Sequence, residues 1–423
     1  MKEVLLQYAW QHKLYYTGNL VTTNGNTVEV INPGLLNSDA GPDFFNAKLK
    51  IGNTLWAGNV EIHVKSSDWN AHHHADNAGY NNIILHVIAY HDIDLQRANG
   101  EPIEQLVIPI YADLEEKYEQ LIAKQLFIPC APKLAQVPRI VLSSWKNALL
   151  MEKLEAKVGD IHALLAQTQY NWEETFYIVL ARNFGLGINA IPFEMMAKSL
   201  PQIYLAKHKD NLFQVEAMLF GQSGLLASAK SDEYTDRLKK EYAFLQTKYH
   251  LHPIDGHLWK LLRLRPQNFP HIRIAQLANL AITSSKLFSK ILDTKTLTEL
   301  EALFHCQVSE YWQSHYTFNK LSSRKNKPMG ISTIRILLIN TVIPFLFAYG
   351  QYKDDAALQE QAISLLEQMP AEHNSIVEHW AKYNIKAMSA YDSQALIFLK
   401  KHYCDEKKCL HCRIGHFILS EPS

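Results

Sequence analysis

Three groups of residues in this 423-residue chain have types and spacings that could do chemistry. The first lies in GPDFFNAKLKIGNTLWAGNVEIHVKSSDW, residues 41–69. The period of a strand puts Glu61, His63 and Lys65 on one face of VEIHVK, with Val60, Ile62 and Val64 on the other. Asp43 begins the preceding strand of a hairpin that turns at Gly52-Asn53. Two carboxylates on adjacent strands could hold Mg²⁺ or Mn²⁺, which take oxygen ligands. Such an ion polarises a phosphate and acidifies an attacking water. Lys65 would steady the developing charge, and His63 would be an auxiliary ligand or proton carrier. The ordinary alternative is a solvated strand face carrying a salt bridge. A turn centred near Asn53 sets Asp43 opposite His63 and close to Glu61. A turn centred between Gly52 and Asn53 sets it opposite Ile62, on the wrong face. A shared face therefore requires an odd-length turn or a bulge, and Gly58 is the expected bulge site.

The second group is SDWNAHHHADNAGYNN, residues 67–82, where His72, His74 and Asp76 have an H-x-H-x-D spacing. That spacing is similar to the one in metallo-β-lactamase-like hydrolases and implies zinc, which imidazole suits. Asn77 stands where that pattern wants a further His. The alternatives are an edge loop over the same cleft as Glu61, with His74 or Asp76 contacting phosphate or metal, and a plain surface loop. His86, inside the apolar run NIILHVIAY, reads as a hydrogen-bonded core residue.

The third group is the tail HYCDEKKCLHCRIGH, residues 402–416. Cys404, Cys409 and Cys412 form C-x4-C-x2-C, and His416 would close a tetrahedral structural site for Zn²⁺. An iron–sulfur cluster is the second choice, and three thiols without metal the third. Two basic segments add binding candidates. RLRPQNFPHIRIAQLA brings Arg263, Arg265 and Arg273 together around two prolines, and NKLSSRKNKP carries Lys325. Arginine suits bidentate phosphate contacts; helix-capping arginines and a solvated loop are the bland alternatives.

The elements that must position these groups divide the chain. Residues 2–14 have helical spacing of apolar residues. Residues 27–34, 44–53 and 54–65 alternate as strands, 82–90 is a continuous apolar run that fits a buried strand, and 105–110 is one more strand candidate. From about residue 113 strand signals nearly vanish, and amphipathic helical periods follow, beginning with 140–158 and 159–184. The expected organisation is an α/β domain at 1–112, a helix and linker at 113–138, an all-helical domain at 139–400 and a Cys/His tail at 401–423. The fold class is α+β, with a mixed sheet followed by a large helical domain.

Composition narrows the function classes. Lys plus Arg equals Asp plus Glu at 42 each, so no global basic field exists to hold nucleic acid, and contacts must be local. Seventeen Gly and 16 Pro in 423 residues argue against a disordered or loop-dominated chain. Five Cys, three of them within nine residues, make no secreted disulfide framework. The start lacks a signal-peptide core. The longest apolar stretch, about 336–349, is broken by Asn340, Thr341 and Pro344 and falls short of a bilayer span. A cytoplasmic protein without membrane contact is expected.

Helix, strand, Pro42-Asp43, then a hairpin strand carrying Glu61 and a Lys resembles the PD-(D/E)xK nuclease superfamily. The resemblance covers about 60 residues. It implies a restriction-endonuclease-like sheet, Asp43 and Glu61 as metal ligands, and a nucleic-acid substrate, DNA in preference to RNA. It departs at one position: the family has Lys two residues after the acid, where this chain has His63, and Lys65 is one strand step further. GPDF, VEIHVKSSDW, the His-rich stretch and RPQNFPHIRIAQLA also resemble an uncharacterised bacterial family, typical of Bacteroidetes, known only as a domain of unknown function. The expected function is a metal-dependent nuclease with a helical substrate-positioning domain. The rivals are a non-enzymatic nucleic-acid-binding or scaffold protein and a zinc hydrolase built on His72, His74 and Asp76.

Overall fold

The computed structural model describes residues 1–37, 39–74, 77–97, 100–123, 126–284 and 286–421. The fold is α+β and has two compact units, residues 1–145 with 399–423, and residues 146–398.

The first unit is built on one mixed sheet. Helix α1 (Glu3–Gln11) precedes strands β1 (Val28–Asn32), β2 (Leu35–Leu36), β3 (Phe44–Ile51), β4 (Thr54–Lys65), β5 (Ile83–Tyr90) and β6 (Gln105–Val107). The strand order is β1-β3-β4-β5-β6, with β2 paired to β3. β1, β3 and β4 run antiparallel, and β4, β5 and β6 run parallel. The parallel step is made by a crossover holding the short helix α2 (Asp68–Ala71). Val60 and Ile62 of β4 and Leu85 and Val87 of β5 pack with Leu6 and Trp10 of α1 into the main core of this unit. Trp69, Tyr80, Ile83, Leu95 and Ile103 form a second, smaller core. Cover on both faces is why β5 reads as an unbroken apolar run.

The β3–β4 hairpin decides what shares a face. Ile51 pairs with Thr54 across Gly52-Asn53, the even turn that alone would set Asp43 opposite Ile62. The register shifts between Ala47↔Gly58 and Phe44↔Val60, because β3 carries one extra residue around Asn46, whose φ is +55°. Asp43 is thereby brought level with Glu61. Buried Asn59 braces the bulge, its Oδ1 accepting from the Asn46 N–H at 3.3 Å and its Nδ2 donating to Asn82 Oδ1 at 3.0 Å. The bulge lies in β3, and Gly58 serves another purpose: a Cβ there would stand 2.4 Å from Ile84 Cγ2 and 2.9 Å from the Asn82 carbonyl. Gly58 lets β5 approach β4 next to the irregular step at Asn59/Val60.

The C-terminal segment that begins at Leu399 belongs to this sheet unit. The hydroxyl of Tyr8 in α1 bonds His416 Nδ1 at 2.7 Å. Lys117 of α3 (Leu114–Ala123) donates to the Glu421 carbonyl, and Trp145 meets Tyr403 edge-on.

The second unit is helical around a core that includes Phe176, Phe288 and Phe345. The two helical periods at 140–158 and 159–184 divide differently from expectation. α4 runs from Arg139 to Gln167 and ends where Gln169 and Tyr170 turn left-handed; the next helix is Trp172–Phe184. The segment Ile331–Lys353 is long and apolar enough to cross a membrane, and 67% of its most apolar window is buried inside the protein. A π turn at Leu338–Val342 lies in its middle.

Candidate metal centre

Five segments of the sheet unit converge on one point. β4 supplies Glu61 and His63, the start of β3 supplies Asp43, the segment after α2 supplies His72 and His74, β5 supplies His86, and α1 lends Glu3 and Gln7. Backbone amides aim the two carboxylates. The Asp43 N–H donates to Glu61 Oε2 at 3.0 Å, and the Ile62 N–H donates to Asp43 Oδ2 at 2.9 Å. Gln7 Nε2 donates to Asp43 Oδ1 at 3.0 Å. Glu61 Oε1 then faces imidazoles, 3.2 Å from His74 Nε2 and 3.7 Å from His63 Nε2.

The imidazoles form a chain. His63 Nε2 is 3.0 Å from His72 Nδ1, and His63 Nδ1 is 2.9 Å from His86 Nε2. Ligand atoms of His63, His72 and His74 all lie within 4.8 Å of one another, which no other triplet of His, Cys, Asp or Glu does among the described residues. Tyr80 stacks on His74 at 3.9 Å between centroids, and buried Trp69 closes over His74 and His86. His63 and Glu61 are almost fully enclosed, whereas His72 is exposed at the rim.

Electrostatics leave this cluster short of positive charge. Burial first, and then the Asp43 charge, pushes the Glu61 carboxyl up to about 8. Burial also raises Asp43 and Glu3. Burial, reinforced by the neighbouring imidazoles, pushes His63 down to about 3 and His74 down to about 4. Burial pushes His86 down to about 3. These three histidines are therefore neutral and cannot be the cations that the carboxylates lack. His74 Nε2 is buried without a hydrogen-bond partner, although Glu61 Oε1 is 3.2 Å away. A cation between this nitrogen and the carboxylate oxygen would take the place of the proton that burial keeps on Glu61.

The donor set fits a transition ion. A neutral His63 has one ring proton; given from Nδ1 to His86 Nε2, it leaves the Nε2 lone pair facing His72, His74 and Glu61. That is the orientation an outer-shell partner imposes on a metal-ligating imidazole. Three imidazoles with carboxylates suit Mn²⁺ or Zn²⁺ better than Mg²⁺, which prefers an all-oxygen shell.

Asp43, Glu61 and His63 are thus brought together, and the histidines of the zinc alternative, His72 and His74, join the same cluster. Asp76 lies outside the described residues. Lys65 shares the strand but stands exposed at its end, where its charge acts on Asp92. Arg263, Arg265 and Lys325 are exposed in the helical unit. Arg273 is a correction: it is buried, with its guanidinium donating to Gln276, Asn268 and Thr333, so it holds the helix Pro270–Thr283 in place and is no surface contact. His416 Nδ1 is bonded to Tyr8, and its ring packs on His12.

Sequence reasoning missed Glu3 and Gln7, whose signal was their i,i+4 spacing on the first helix. The reading of His86 as a hydrogen-bonded core residue holds: it is buried and bonded to His63, and the parallel register pairs it with Glu61.

No curated protein and no solved structure matches the chain. Residues 3–375 match the model of a family described as a protein of unknown function, DUF2851, and the chain belongs to that family.

Proposed function

We propose that this protein is a metal-dependent hydrolase of phosphodiester bonds in nucleic acid, DNA in preference to RNA. One observation carries the proposal: His63 and His74 nitrogens meet Glu61 Oε1, His72 joins them, Asp43 is braced behind, and the enclosed His63 and His74, pushed to neutrality, bring the carboxylates no charge. The phosphodiester class is supported by the order of elements. A helix, an antiparallel hairpin bearing Asp43 and Glu61, and a crossover to a parallel strand occur in the sequence order of a PD-(D/E)xK nuclease core. His63 occupies the place of that family's Lys.

A divalent ion held here would polarise the phosphoryl group and lower the pKa of an attacking water. Glu61 and Asp43 would hold it, with His63 and His74 as nitrogen ligands. His72, exposed at the rim, is placed to carry a proton between the site and solvent. Arg263, Arg265 and Lys325 are the charges that the helical unit offers to a phosphate backbone.

The test is a cleavage assay of wild type and Glu61→Ala on labelled single- and double-stranded DNA and RNA, with Mn²⁺, Zn²⁺, Mg²⁺ or EDTA. Wild type should cleave only with metal, and the variant should lose about 100-fold or more. Binding without metal-dependent turnover would replace this proposal with the scaffold reading.

A further inference from the structure

The sheet unit contains a second convergence, made of sulfur. Cys404, Cys409 and Cys412 come from the C-terminal segment, and Cys130 comes from the turn that opens the 3-10 helix Ala131–Gln136. Each of the six pairs among these four thiols is close enough for one charge to act on the other. Cys130, Cys409 and Cys412 are buried, and none of the four is in a disulfide.

The backbone around them forms a cradle. Cys409 opens the 3-10 turn Cys409–His411, and Cys412 caps the helix Arg413–Ser420. The backbone at Ile414 and Gly415, at the start of that helix, favours the thiolate form of Cys412 against its burial. Gly415 is required by close approach, since a Cβ there would lie 2.0 Å from the Cys409 carbonyl oxygen. Trp145 is buried, and its indole N–H has no hydrogen-bond partner. That N–H acts on Cys412, so an unpartnered donor is aimed into the sulfur cluster. N–H groups directed at sulfur are what a metal-bound thiolate uses. The nearby cations do not suffice for four thiolates: Lys400 is paired with Asp405, and Lys407 donates to the Ile122 carbonyl.

We propose that Cys130, Cys404, Cys409 and Cys412 together hold an iron–sulfur cluster. The size of the cradle selects a cluster over a single ion. Tetrahedral zinc, with Zn–S near 2.3 Å, draws its sulfurs to about 3.8 Å from one another. All four cysteines are among the described residues, yet no three of their sulfurs lie mutually within 4.8 Å. A cluster shares its cysteines among several irons and so spaces them more widely. Cys130 is the ligand that the tail spacing lacked, and His416, engaged with Tyr8, is not needed. The role is structural: four protein thiolates leave no open position, and the cluster would tie the C-terminal segment to the segment after α3. The inference is independent of hydrolysis at Glu61.

The test is to purify the full chain anaerobically and measure its absorption spectrum, iron, acid-labile sulfide and zinc. Wild type should be brown, with iron and sulfide in equal amounts and little zinc. Stoichiometric zinc without iron, or no metal at all, would overturn the cluster. Cys130→Ala should lose more than about nine-tenths of the iron, while Cys306→Ala and His416→Ala should retain it. Full iron in folded Cys130→Ala would remove that residue from the site. Should Cys130→Ala fail to fold, iron-edge X-ray absorption of wild type decides the matter. An all-sulfur first shell with iron–iron scattering supports four cysteines, and a nitrogen ligand overturns them.

Discussion

Two buried glutamates, one in each unit, show what burial does alone and what it does in company. Glu61 in the sheet unit and Glu216 in the helical unit are 4% and 1% exposed. Burial is the largest influence on both and raises them to about 8 and about 7. Their neighbours differ. Glu216 Oε2 accepts from the Tyr234 hydroxyl at 2.8 Å, and no second carboxylate adds to its shift. It can rest as a neutral acid beside a phenol. Glu61 has Asp43 as its second influence, accepts a backbone N–H, and faces imidazoles that are themselves neutral. The same desolvation therefore produces a protonated core acid in one place and a demand for a cation in the other.

The largest expected effect breaks that comparison at the cation. Mn²⁺ titrated calorimetrically into wild type should bind, and Asp43→Asn with Glu61→Gln should weaken binding by about 100-fold or more. Glu216→Gln should leave it unchanged. Because the bound ion must displace the Glu61 proton, affinity should rise about tenfold per pH unit between pH 6 and 8 and level off above. A flat profile would mean that Glu61 is ionised without metal and that the contrast with Glu216 is false.

The second effect concerns Glu216 and stability. Its folded pKa, about 7, lies above the unfolded value of 4.5, so the folded state binds the proton more tightly. The stability this confers is fully present below pH 4.5 and is lost as pH rises to about 7. The loss is about 3 kcal/mol at 1.36 kcal/mol per pH unit, an order-of-magnitude figure. Urea denaturation of wild type and Glu216→Gln at pH 5 and pH 8 would measure it. The variant should lack this pH dependence and be the more stable of the two at pH 8. An unchanged slope would mean that Glu216 is compensated by groups other than Tyr234.

Much of the fold and part of the site were legible in the sequence, for reasons that separate the two. Period-two alternation marks β3 and β4 because each has one face in the core, and the helical periods of residues 146–398 mark their helices for the same reason. Asp43, Glu61 and His63 were legible because strand spacing fixes faces. The bulge at Asn46 was deducible as a necessity but not as a location, since its bracing by Asn59 and Asn82 is tertiary. The merging of the His72 and His74 segment with the Glu61 site depends on a crossover between parallel strands, and sequence spacing carries no information on where such a loop lands. Arg273 and Cys130 fail on the same ground. An Arg three residues after a proline turn looks like a surface contact until Asn268, Gln276 and Thr333 enclose it, and a lone Cys has no period.

The smallest expected effect tests whether strand face or depth defines the site. Lys65 shares the face of Glu61 and His63, yet it is exposed, and its charge acts on Asp92, which the Ser66 and Ser67 hydroxyls hold at 2.7 Å. Lys65→Ala should therefore change Mn²⁺ affinity and cleavage by less than about twofold, since an exposed pair contributes little. His63→Ala, two residues back and enclosed, should lose both. A cleavage rate that falls more than tenfold in Lys65→Ala at unchanged Mn²⁺ affinity would show that this lysine reaches the phosphate. The working site would then extend from the buried imidazoles to the exposed end of β4, and exposure on a strand face would no longer separate bystander from participant.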